Sequence, residues 1–178
     1  MSERLAPLIS ARRIRRRVGE LAREIEADHR GAKLTLVVVL KGATVFAADL
    51  MRQIGIPFVM DFVRASSYRG TQSSGTVLIR DQDGLDVRGH HVILVEDIVD
   101  SGLTINAIIA ALRDLRPASL DVCTLLRKSV AGAAPVEIRY KGFDIPDVFV
   151  VGYGMDYAER HRNLPGVYRL TLGAGRTR

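Results

Sequence analysis

Cysteine is almost absent from this sequence, since Cys123 is the only thiol among 178 residues. One thiol cannot form an intramolecular disulfide, and chains without disulfides are typical of the reducing cytoplasm. Cys123 lies in a largely apolar run, residues 120–126, where a buried structural thiol is expected rather than a nucleophile. We therefore expect a cytoplasmic protein whose chemistry does not depend on cysteine.

Long hydrophobic runs are absent as well. The longest run, residues 34–40, has seven residues including Thr35, whereas a helix needs about 20 apolar residues to cross a bilayer. The first residues lead into no apolar stretch of the kind that a secretory signal requires. No membrane partner is expected, and residues 34–40 are predicted to form a buried strand.

Two familiar kinds of site are also missing. The histidines, which are His29, His90, His91 and His161, show no metal-ligand spacing, so we expect them to be structural or surface residues. The pattern of a phosphate-binding P-loop, G-x-x-x-x-G-K-[ST], does not occur either. A phosphate site in this chain must therefore be built in another way.

What the sequence does have is the composition of an ordinary globular domain. Hydrophobic residues make up 47% and charged residues 26%, without an internal repeat, so residues 1–178 are expected to form a single domain. The formal net charge of +6 suits anionic ligands, but it does not choose between phosphates and nucleic acid. Residues 173–178 are expected to be a loose tail.

The apolar pattern is that of an α/β fold. Apolar residues recur at helical spacing along residues 10–30, where Ser10 is the predicted N-cap. A second helix is predicted to run through Ile54, and a third to cover residues 105–112. Besides residues 34–40, strands are predicted at residues 58–63, 76–79, 92–95, 120–126 and 148–151. Strands that alternate with helices imply a twisted, mostly parallel sheet flanked by helices.

The most informative segment is residues 92–104. A buried strand is predicted to end in Glu96 and Asp97, a third carboxylate follows at Asp100, and Ser-Gly-Leu-Thr then opens a helix. Ligands of open α/β sheets bind outside the carboxyl ends of the strands, so these groups face a crevice. Free N–H groups at a helix start favour phosphate, while carboxylates beside a phosphate suit a ribose diol or Mg2+. The combination predicts a ribose-5-phosphate site, because a helix cap with incidental acids would not require three of them.

Residues 95–104 resemble the signature with which type I phosphoribosyltransferases bind phosphoribosyl pyrophosphate. The Glu-Asp form of the signature resembles the hypoxanthine and hypoxanthine–guanine branch, and the similarity extends over roughly residues 36–164. Ser101 stands where many relatives have threonine, and it keeps the hydroxyl. The resemblance implies a type I phosphoribosyltransferase fold with a small hood and a flexible lid loop, assembled as a homodimer or homotetramer.

The resemblance assigns the binding site for phosphoribosyl pyrophosphate. Lys41 and Gly42, preceded by a non-proline cis peptide bond, would hold the pyrophosphate with their backbone, and Arg162 would contact it as well. Glu96 and Asp97 would hold the ribose hydroxyls. The phosphate turn would consist of Asp100, Ser101, Gly102, Leu103 and Thr104. Mg2+ is the implied cofactor, and its protein contacts would be Glu96, Asp97 and Asp156.

The resemblance also assigns a base site. Lys128 would donate to the exocyclic O6 of a purine, which favours a 6-oxo base because an ammonium group has donors only. Phe149 would stack on the purine, the Val150 backbone would read its edge, and backbone carbonyls near Asp156 would reach its 2-position. Asp100 would act as the general base that manages the N7 proton. The implied activity is Mg-dependent purine salvage, in which hypoxanthine or guanine becomes a nucleoside monophosphate and pyrophosphate is released.

A loop predicted over residues 65–75 is too long for an ordinary connection. Its position and its Ser67-Tyr68 pair resemble the mobile lid of the family, in which these two residues would contact the ligand on closure. A lid suits the implied reaction, because bulk water would capture an oxocarbenium-like ribose.

Two alternatives stay open at the level of sequence. An RNA-binding regulator on the same fold is suggested by five arginines between positions 12 and 17, but aromatic residues are only 6%, which leaves few stacking platforms. Nucleic acid is therefore not the expected partner, and RNA binding driven by phosphates would reveal itself by a steep salt dependence. The other alternative is the same chemistry with xanthine, uracil, adenine or orotate. Lys128 and the Glu96-Asp97 pair favour a 6-oxopurine without deciding between hypoxanthine and guanine.

Overall fold

A computed structural model of the chain describes residues 3–67, 77–80 and 85–173. Within these ranges the helices are α1 (Ala11–His29), α2 (Thr44–Met51) and α3 (Leu103–Asp114). The strands are β1 (Glu3–Ile9), β2 (Leu34–Leu40), β3 (Phe58–Ser67), β4 (Val77–Arg80), β5 (His91–Val99), β6 (Ser119–Ser129), β7 (Tyr140–Pro146), β8 (Val150–Val151) and β9 (Val167–Leu172). None of the described helices is long and apolar enough to cross a bilayer.

The larger of two sheets has the strand order β4-β3-β2-β5-β6-β7. All of its strands are parallel except β4, which runs antiparallel to β3 at one edge. Val38 of β2 lies opposite Phe62 on one side and Val95 on the other. The predicted parallel sheet is confirmed, and its topology brings the carboxyl ends of β2, β5 and β6 to one edge.

The side chains of β2 alternate between the two faces of this sheet, as an extended backbone requires. Leu36 and Val38 pack in a buried cluster with the apolar sides of α1 and α2. Val37 joins Ile105 and Ile108 of α3 in a second cluster on the opposite face. Because helices cover both faces, every position of β2 before Leu40 is buried, which explains its continuous apolar run.

The first helix begins and packs as its sequence predicts. The Ser10 side chain accepts a hydrogen bond from the backbone N–H of Arg13 at 3.4 Å. The guanidinium of Arg17 donates from Nε and Nη2 to the Lys141 carbonyl at 3.1 and 2.8 Å, which ties α1 to β7. One residue of the arginine-rich segment therefore has a structural role inside the fold.

A second, three-stranded antiparallel sheet has the order β1-β9-β8 and forms the expected hood. The strand predicted over residues 148–151 is reduced to Val150–Val151, and it belongs to this hood because it pairs with β9. The sequence patterns predict neither β1 and β9 of the hood nor β7 of the main sheet, since none of these strands is a continuous apolar run.

Several predicted boundaries are wrong. The second helix ends at Met51, so buried Ile54 lies beyond it. Strand β3 continues through Ser67, so residues 65–67 of the predicted loop are strand. Strands β5 and β6 also run further than predicted, and they include the Glu96-Asp97 pair and Lys128. The rest of the predicted lid, including Tyr68, lies outside the described residues, as do the side chain of Ser67, the turn at residues 81–84 and residues 174–178.

Candidate active site

The carboxyl edge of the main sheet opens into a cleft of about 310 Å³. Nine of the predicted site residues line it, namely Lys41, Gly42, Asp97, Asp100, Lys128, Phe149, Val150, Asp156 and Arg162. Ile98 and Met155 also line the cleft and were not predicted, because an isolated apolar residue carries no signal that separates a cleft wall from a core position. Residues that are more than 100 positions apart in the sequence thus meet in one cavity.

A smaller pocket of about 80 Å³ lies at the start of α3. Its walls include Glu96, Asp100, Ser101, Gly102 and Thr104 from the predicted set. Of the predicted phosphate turn, residues 100–104, only Leu103 is missing from the walls of this pocket, and its side chain is exposed. The pocket lies at a helix start, where backbone N–H groups have no helical partner, and two of its residues, Ser101 and Thr104, carry hydroxyl groups. A helix start of this kind favours phosphate.

The turn at the start of α3 is held from behind. Gly102 caps the helix with a left-handed backbone, φ +80°, and a Cβ at this position would crowd the carbonyl oxygen of Ala134. The Ala134 N–H donates to the Ser101 carbonyl at 2.9 Å, and the Asn106 side chain donates to the Pro135 carbonyl at 3.2 Å. Residue 102 must therefore be glycine both for its conformation and for the close approach of the neighbouring chain.

At the end of β2 the peptide bond between Leu40 and Lys41 is cis, as the sequence resemblance predicts. The next residue, Gly42, packs directly against the Asp97 carboxylate, so a Cβ on Gly42 would overlap Asp97 Oδ2. Gly154 packs against the other side of this loop, because a Cβ on Gly154 would overlap the Gly42 carbonyl oxygen. Gly42 thus allows the loop after β2 to approach the acidic end of β5, and Gly154 allows its own segment to approach Gly42.

Glu96 and Asp97 lie side by side within β5, but their surroundings differ. Glu96 is buried, with 8% of its surface exposed, and its carboxylate accepts the Asp97 backbone N–H at 3.1 Å. Burial, with a further contribution from the adjacent Asp97, raises the pKa of the Glu96 carboxyl well above its usual range. Asp97 is partly exposed and faces the main cleft, so it is the more accessible partner of the pair.

On the opposite wall the Lys128 ammonium lies between two carboxylates. Its Nζ is 2.7 Å from Asp100 Oδ2 and 3.7 Å from Asp147 Oδ1. The Lys128 side chain is only 11% exposed, whereas both acidic side chains are more than half exposed. The structure therefore places the predicted purine-binding cation and the predicted general base in direct contact.

An aromatic surface borders the same wall. Phe149 is 50% exposed, and the Tyr157 ring packs edge-on against it with 5.7 Å between the ring centroids. The Phe149 backbone is fixed, because its carbonyl accepts the Leu170 N–H at 2.9 Å, and Val150 follows in β8. A large apolar ring that stays half exposed beside a polar cleft is a surface on which a planar base could stack.

Charged side chains around Arg162 form a connected network. Arg162 donates from Nη1 to the Gly154 carbonyl at 2.8 Å, and its Nη2 pairs with Asp156 at 2.7 Å and with Glu159 at 3.2 Å. Glu159 pairs with Lys41 as well, at 3.3 Å. The sequence prediction included Lys41, Asp156 and Arg162 but missed Glu159, for which the only available signal is its i,i+3 spacing to Asp156 and Arg162.

The carboxylates around the two cavities are the candidate ligands for a metal ion. Among the described residues there is no group of three or more histidine, cysteine or carboxylate side chains that could hold a metal by itself. Glu96 and Asp97 form one acidic pair, while the Asp156 carboxylate is engaged by Arg162. This arrangement does not form a complete protein cage. It fits Mg2+ in its usual mode, in which one or two carboxylates share the ion with substrate oxygens and water.

The fold and the position of the cleft place the chain among the type I phosphoribosyltransferases, and comparisons with known proteins agree. A sequence model of the phosphoribosyl transferase domain matches residues 8–158. The hypoxanthine-guanine phosphoribosyltransferase of Mycobacterium avium is 48% identical over 164 residues, which cover 88% of this chain and 81% of that protein. The hypoxanthine phosphoribosyltransferase of Salmonella typhimurium is 40% identical over 176 residues, which cover 97% and 98% of the two chains.

Solved structures give the same result. A crystal structure of a hypoxanthine-guanine phosphoribosyltransferase from Bacillus anthracis superimposes with a TM-score of 0.88 at 39% identity, covering 96% of this chain and 100% of that one. A hypoxanthine phosphoribosyltransferase from Staphylococcus aureus also gives 0.88, at 37% identity with 93% and 91% coverage. The chain belongs to the hypoxanthine–guanine phosphoribosyltransferase family. The predicted fold, family and enzyme class are confirmed.

Proposed function

We propose that this enzyme transfers the phosphoribosyl group of phosphoribosyl pyrophosphate to N9 of hypoxanthine or guanine, which yields IMP or GMP and pyrophosphate. The observation that carries the proposal is a pair of adjoining cavities that share Ile98 and Asp100. One contains the turn at the start of α3, and the other contains the Lys128–Phe149 wall. The family relationship supports the same reaction, since relatives at 40–48% identity are named for these bases. The reaction places the protein in purine salvage.

The sugar phosphate is assigned to the start of α3. The 5′-phosphate accepts hydrogen bonds from the backbone N–H groups of the turn formed by residues 100–104 and from the hydroxyls of Ser101 and Thr104, both of which line the pocket. Leu103 contributes through its backbone alone, since its side chain points to solvent. The ribose hydroxyls donate to Glu96 and Asp97, which explains why two carboxylates lie beside an anion site without repelling the substrate.

The pyrophosphate is assigned to the opposite side of the cleft. The backbone of Lys41 and Gly42 and the guanidinium of Arg162 face this region and supply donors and positive charge. As the bond from C1 to pyrophosphate breaks, negative charge accumulates on the leaving group, and these fixed donors stabilise it most in the transition state. Arg162 is preorganised for that task by its hydrogen bond to the Gly154 carbonyl.

The base is assigned to the wall formed by Lys128, Phe149, Val150 and Asp156. The purine ring stacks on Phe149, while the Val150 backbone and carbonyls near Asp156 read its far edge. The Lys128 ammonium can only donate, so it pairs with the oxygen of a 6-oxopurine and rejects the amino group of adenine. O6 and N7 are neighbours on one edge of a purine. Lys128 and Asp100 are in contact, so they can face these two atoms together.

Asp100 is assigned the proton chemistry. A carboxylate next to N7 can take the proton that the base loses as N9 attacks C1 of the ribose. In the structure that carboxylate is paired with Lys128, so binding of a 6-oxopurine exchanges this ion pair for one hydrogen bond to O6 and one to N7. Release of Asp100 by the substrate's own oxygen couples recognition of the base to activation of the catalytic group.

Mg2+ is the proposed cofactor, with Glu96, Asp97 and Asp156 as its protein contacts. When bound, it offsets the charge of the pyrophosphate group. Ser67 and Tyr68 are assigned to a lid that shields the ribose from water. A cytoplasmic homodimer or homotetramer is the assembly proposed from the family resemblance, and sedimentation analysis of the purified protein would measure it.

The proposed function is tested by measuring pyrophosphate release from phosphoribosyl pyrophosphate with Mg2+ and each of hypoxanthine, guanine, xanthine, adenine and uracil. We expect turnover with hypoxanthine or guanine, and none above background with adenine or uracil. Lys128→Met, which removes the donor but keeps an unbranched chain, should reduce turnover of the 6-oxopurine. Turnover with adenine or uracil alone, or with no base at all, would refute the assignment.

A further inference from the structure

Glu159 lies between two cationic side chains at the proposed pyrophosphate position. One is the Arg162 guanidinium, which the proposed function assigns to pyrophosphate, and the other is the ammonium of Lys41, whose backbone has the same assignment. Glu159 Oε1 and Oε2 are each 3.3 Å from the Lys41 ammonium, and Oε2 is 3.2 Å from Nη2 of Arg162. A carboxylate in this position offers the same kind of anionic oxygen acceptor as a phosphate group. The contacts that a pyrophosphate would make to these two cations are therefore already made by a side chain of the enzyme.

The backbone directs Glu159 into this position. Ala158 and Glu159 both adopt left-handed conformations, with φ of +51° and +61°. The Glu159 N–H donates to Asp156 Oδ2 at 2.8 Å, and Tyr157 and Arg160 exchange backbone hydrogen bonds at 3.1 and 3.0 Å across the same turn. A closed turn thus fixes the point from which the Glu159 side chain reaches the cations, even though the side chain itself is exposed.

We propose that Glu159 is a displaceable occupant of the pyrophosphate position: its carboxylate neutralises Lys41 and Arg162 in the free enzyme and leaves when pyrophosphate binds. The inference rests on the proposed function, because it presupposes that these cations bind pyrophosphate. It adds a residue that sets affinity by competition. Glu159 keeps the two cations gathered at the cleft, and it weakens the binding of the pyrophosphate that must depart after each turnover.

The exposures of the three side chains explain why displacement is feasible. The Lys41 and Glu159 side chains are 64% and 68% exposed, so their ion pair is screened by water and easily exchanged. The Arg162 side chain is only 27% exposed and is anchored to the Gly154 carbonyl, so it stays in place when the carboxylate leaves. Hydrogen bonds from Lys41 and then Arg162 lower the pKa of Glu159, so it is fully charged at neutral pH.

The test is calorimetric titration of the full-length protein with inorganic pyrophosphate at a fixed Mg2+ concentration. Glu159→Gln removes the charge and keeps the shape, while Glu159→Ala removes the side chain as well. Exposed ion pairs are weak, so removing the two that compete with pyrophosphate should lower its dissociation constant about two- to tenfold. We expect that tightening for both variants, and we expect it to shrink as salt is added.

The matched control is Glu20→Gln. Glu20 also pairs with two cations, Arg16 at 3.6 Å and Arg17 at 3.1 Å, but neither arginine lines the cleft, whereas Lys41 and Arg162 do. Its removal changes the net charge equally and should leave the dissociation constant unchanged. Equal tightening in the control, or unchanged or weaker binding in both Glu159 variants, would overturn the inference. If the wild-type protein bound no pyrophosphate at all, the proposed function would fail together with the inference.

Discussion

The ammonium group of Lys128 lies 2.7 Å from a carboxylate oxygen of Asp100, so the two side chains assigned to the purine edge neutralise each other in the free cleft. Lys128 is nearly buried while Asp100 is half exposed, which means that the cation is the fixed member of the pair and the carboxylate the movable one. In the proposed function, a bound 6-oxopurine replaces this single contact by two. The exchange that recognises the base would then also free the carboxylate that is assigned to proton transfer.

Asp100→Asn should reduce turnover far more than it weakens binding of phosphoribosyl pyrophosphate. An amide cannot accept the N7 proton at neutral pH, and loss of a general base typically costs about 100- to 10,000-fold in rate. Steady-state kinetics with varied phosphoribosyl pyrophosphate would separate kcat from KM. Asp147→Asn is the matched control, since Asp147 also faces Lys128 but does not line the cleft. Equal losses in kcat and in binding for Asp100→Asn would argue against its assignment.

Gly42→Ala should damage the pyrophosphate site. The added Cβ would overlap the Asp97 carboxylate, so either the loop after β2 or the acidic end of β5 must move. Overpacking of this kind costs about 1–3 kcal/mol, which corresponds to about a five- to 150-fold loss in affinity if it falls on binding. Titration with pyrophosphate would measure the loss. Gly55→Ala is the control, because its nearest neighbour is the flexible end of Glu26, and it should bind pyrophosphate normally.

The core of the site could be predicted because its residues are consecutive. Glu96, Asp97, Asp100 and Gly102 fall within a few positions of one another, so their common location follows from a single strand-to-helix junction. Glu159 could not be found in this way, since it contacts Lys41 across 118 positions and only the folded chain brings the two together. Local patterns record the chemistry of a turn, whereas contacts between distant segments depend on the topology.

The strand errors have a physical cause of the same kind. Strand β5 continues through two carboxylates because its backbone pairs with β6, where Glu96 lies opposite Thr124 and Ile98 opposite Leu126. The apolar pattern predicted only residues 92–95 of this strand, because the next two residues are charged. Strand β7 was missed because it lies at the edge of the sheet, where only Tyr140 and Ile145 of its seven residues are buried. Strand pairing is decided by the neighbouring backbone, which a pattern of apolar residues does not record.

Glu96→Gln should make the free protein more stable at high pH and less able to bind phosphoribosyl pyrophosphate. The folded-state pKa of Glu96 lies above its ordinary value of 4.5, so its favourable contribution is fully present below pH 4.5 and is lost as pH rises. A neutral amide avoids that loss. The difference in unfolding free energy between variant and wild type, from urea titrations, should therefore grow between pH 4.5 and pH 8. An identical difference at both pH values would show that burial of Glu96 carries no such cost.

The buried His29, at the end of α1, should make the protein less stable as the pH falls. His29 is 4% exposed, its Nε2 lies 3.2 Å from the Tyr140 hydroxyl, and the His91 ring is 5.6 Å away. Burial, and then the neighbouring His91, lower the pKa of His29 below its ordinary value of 6.5. The unfolded chain therefore binds the proton first, so this contribution is complete above pH 6.5 and is lost as pH falls through the lower folded-state pKa.

The measurement is the unfolding free energy of wild type and His29→Gln between pH 7 and pH 5. Glutamine keeps a donor for Tyr140 but does not titrate, so the advantage of the wild type over the variant should shrink as pH falls. His91→Gln removes one cause of the lowered pKa of His29, so the stability of this variant should depend less steeply on pH than that of the wild type. Asp28, whose pKa is lowered mainly by the Tyr140 hydroxyl, loses its contribution only below about its ordinary value of 3.8 and does not interfere in this range. A wild-type advantage that is the same at pH 7 and pH 5 would mean that His29 accepts its proton as readily in the folded protein as in the unfolded chain.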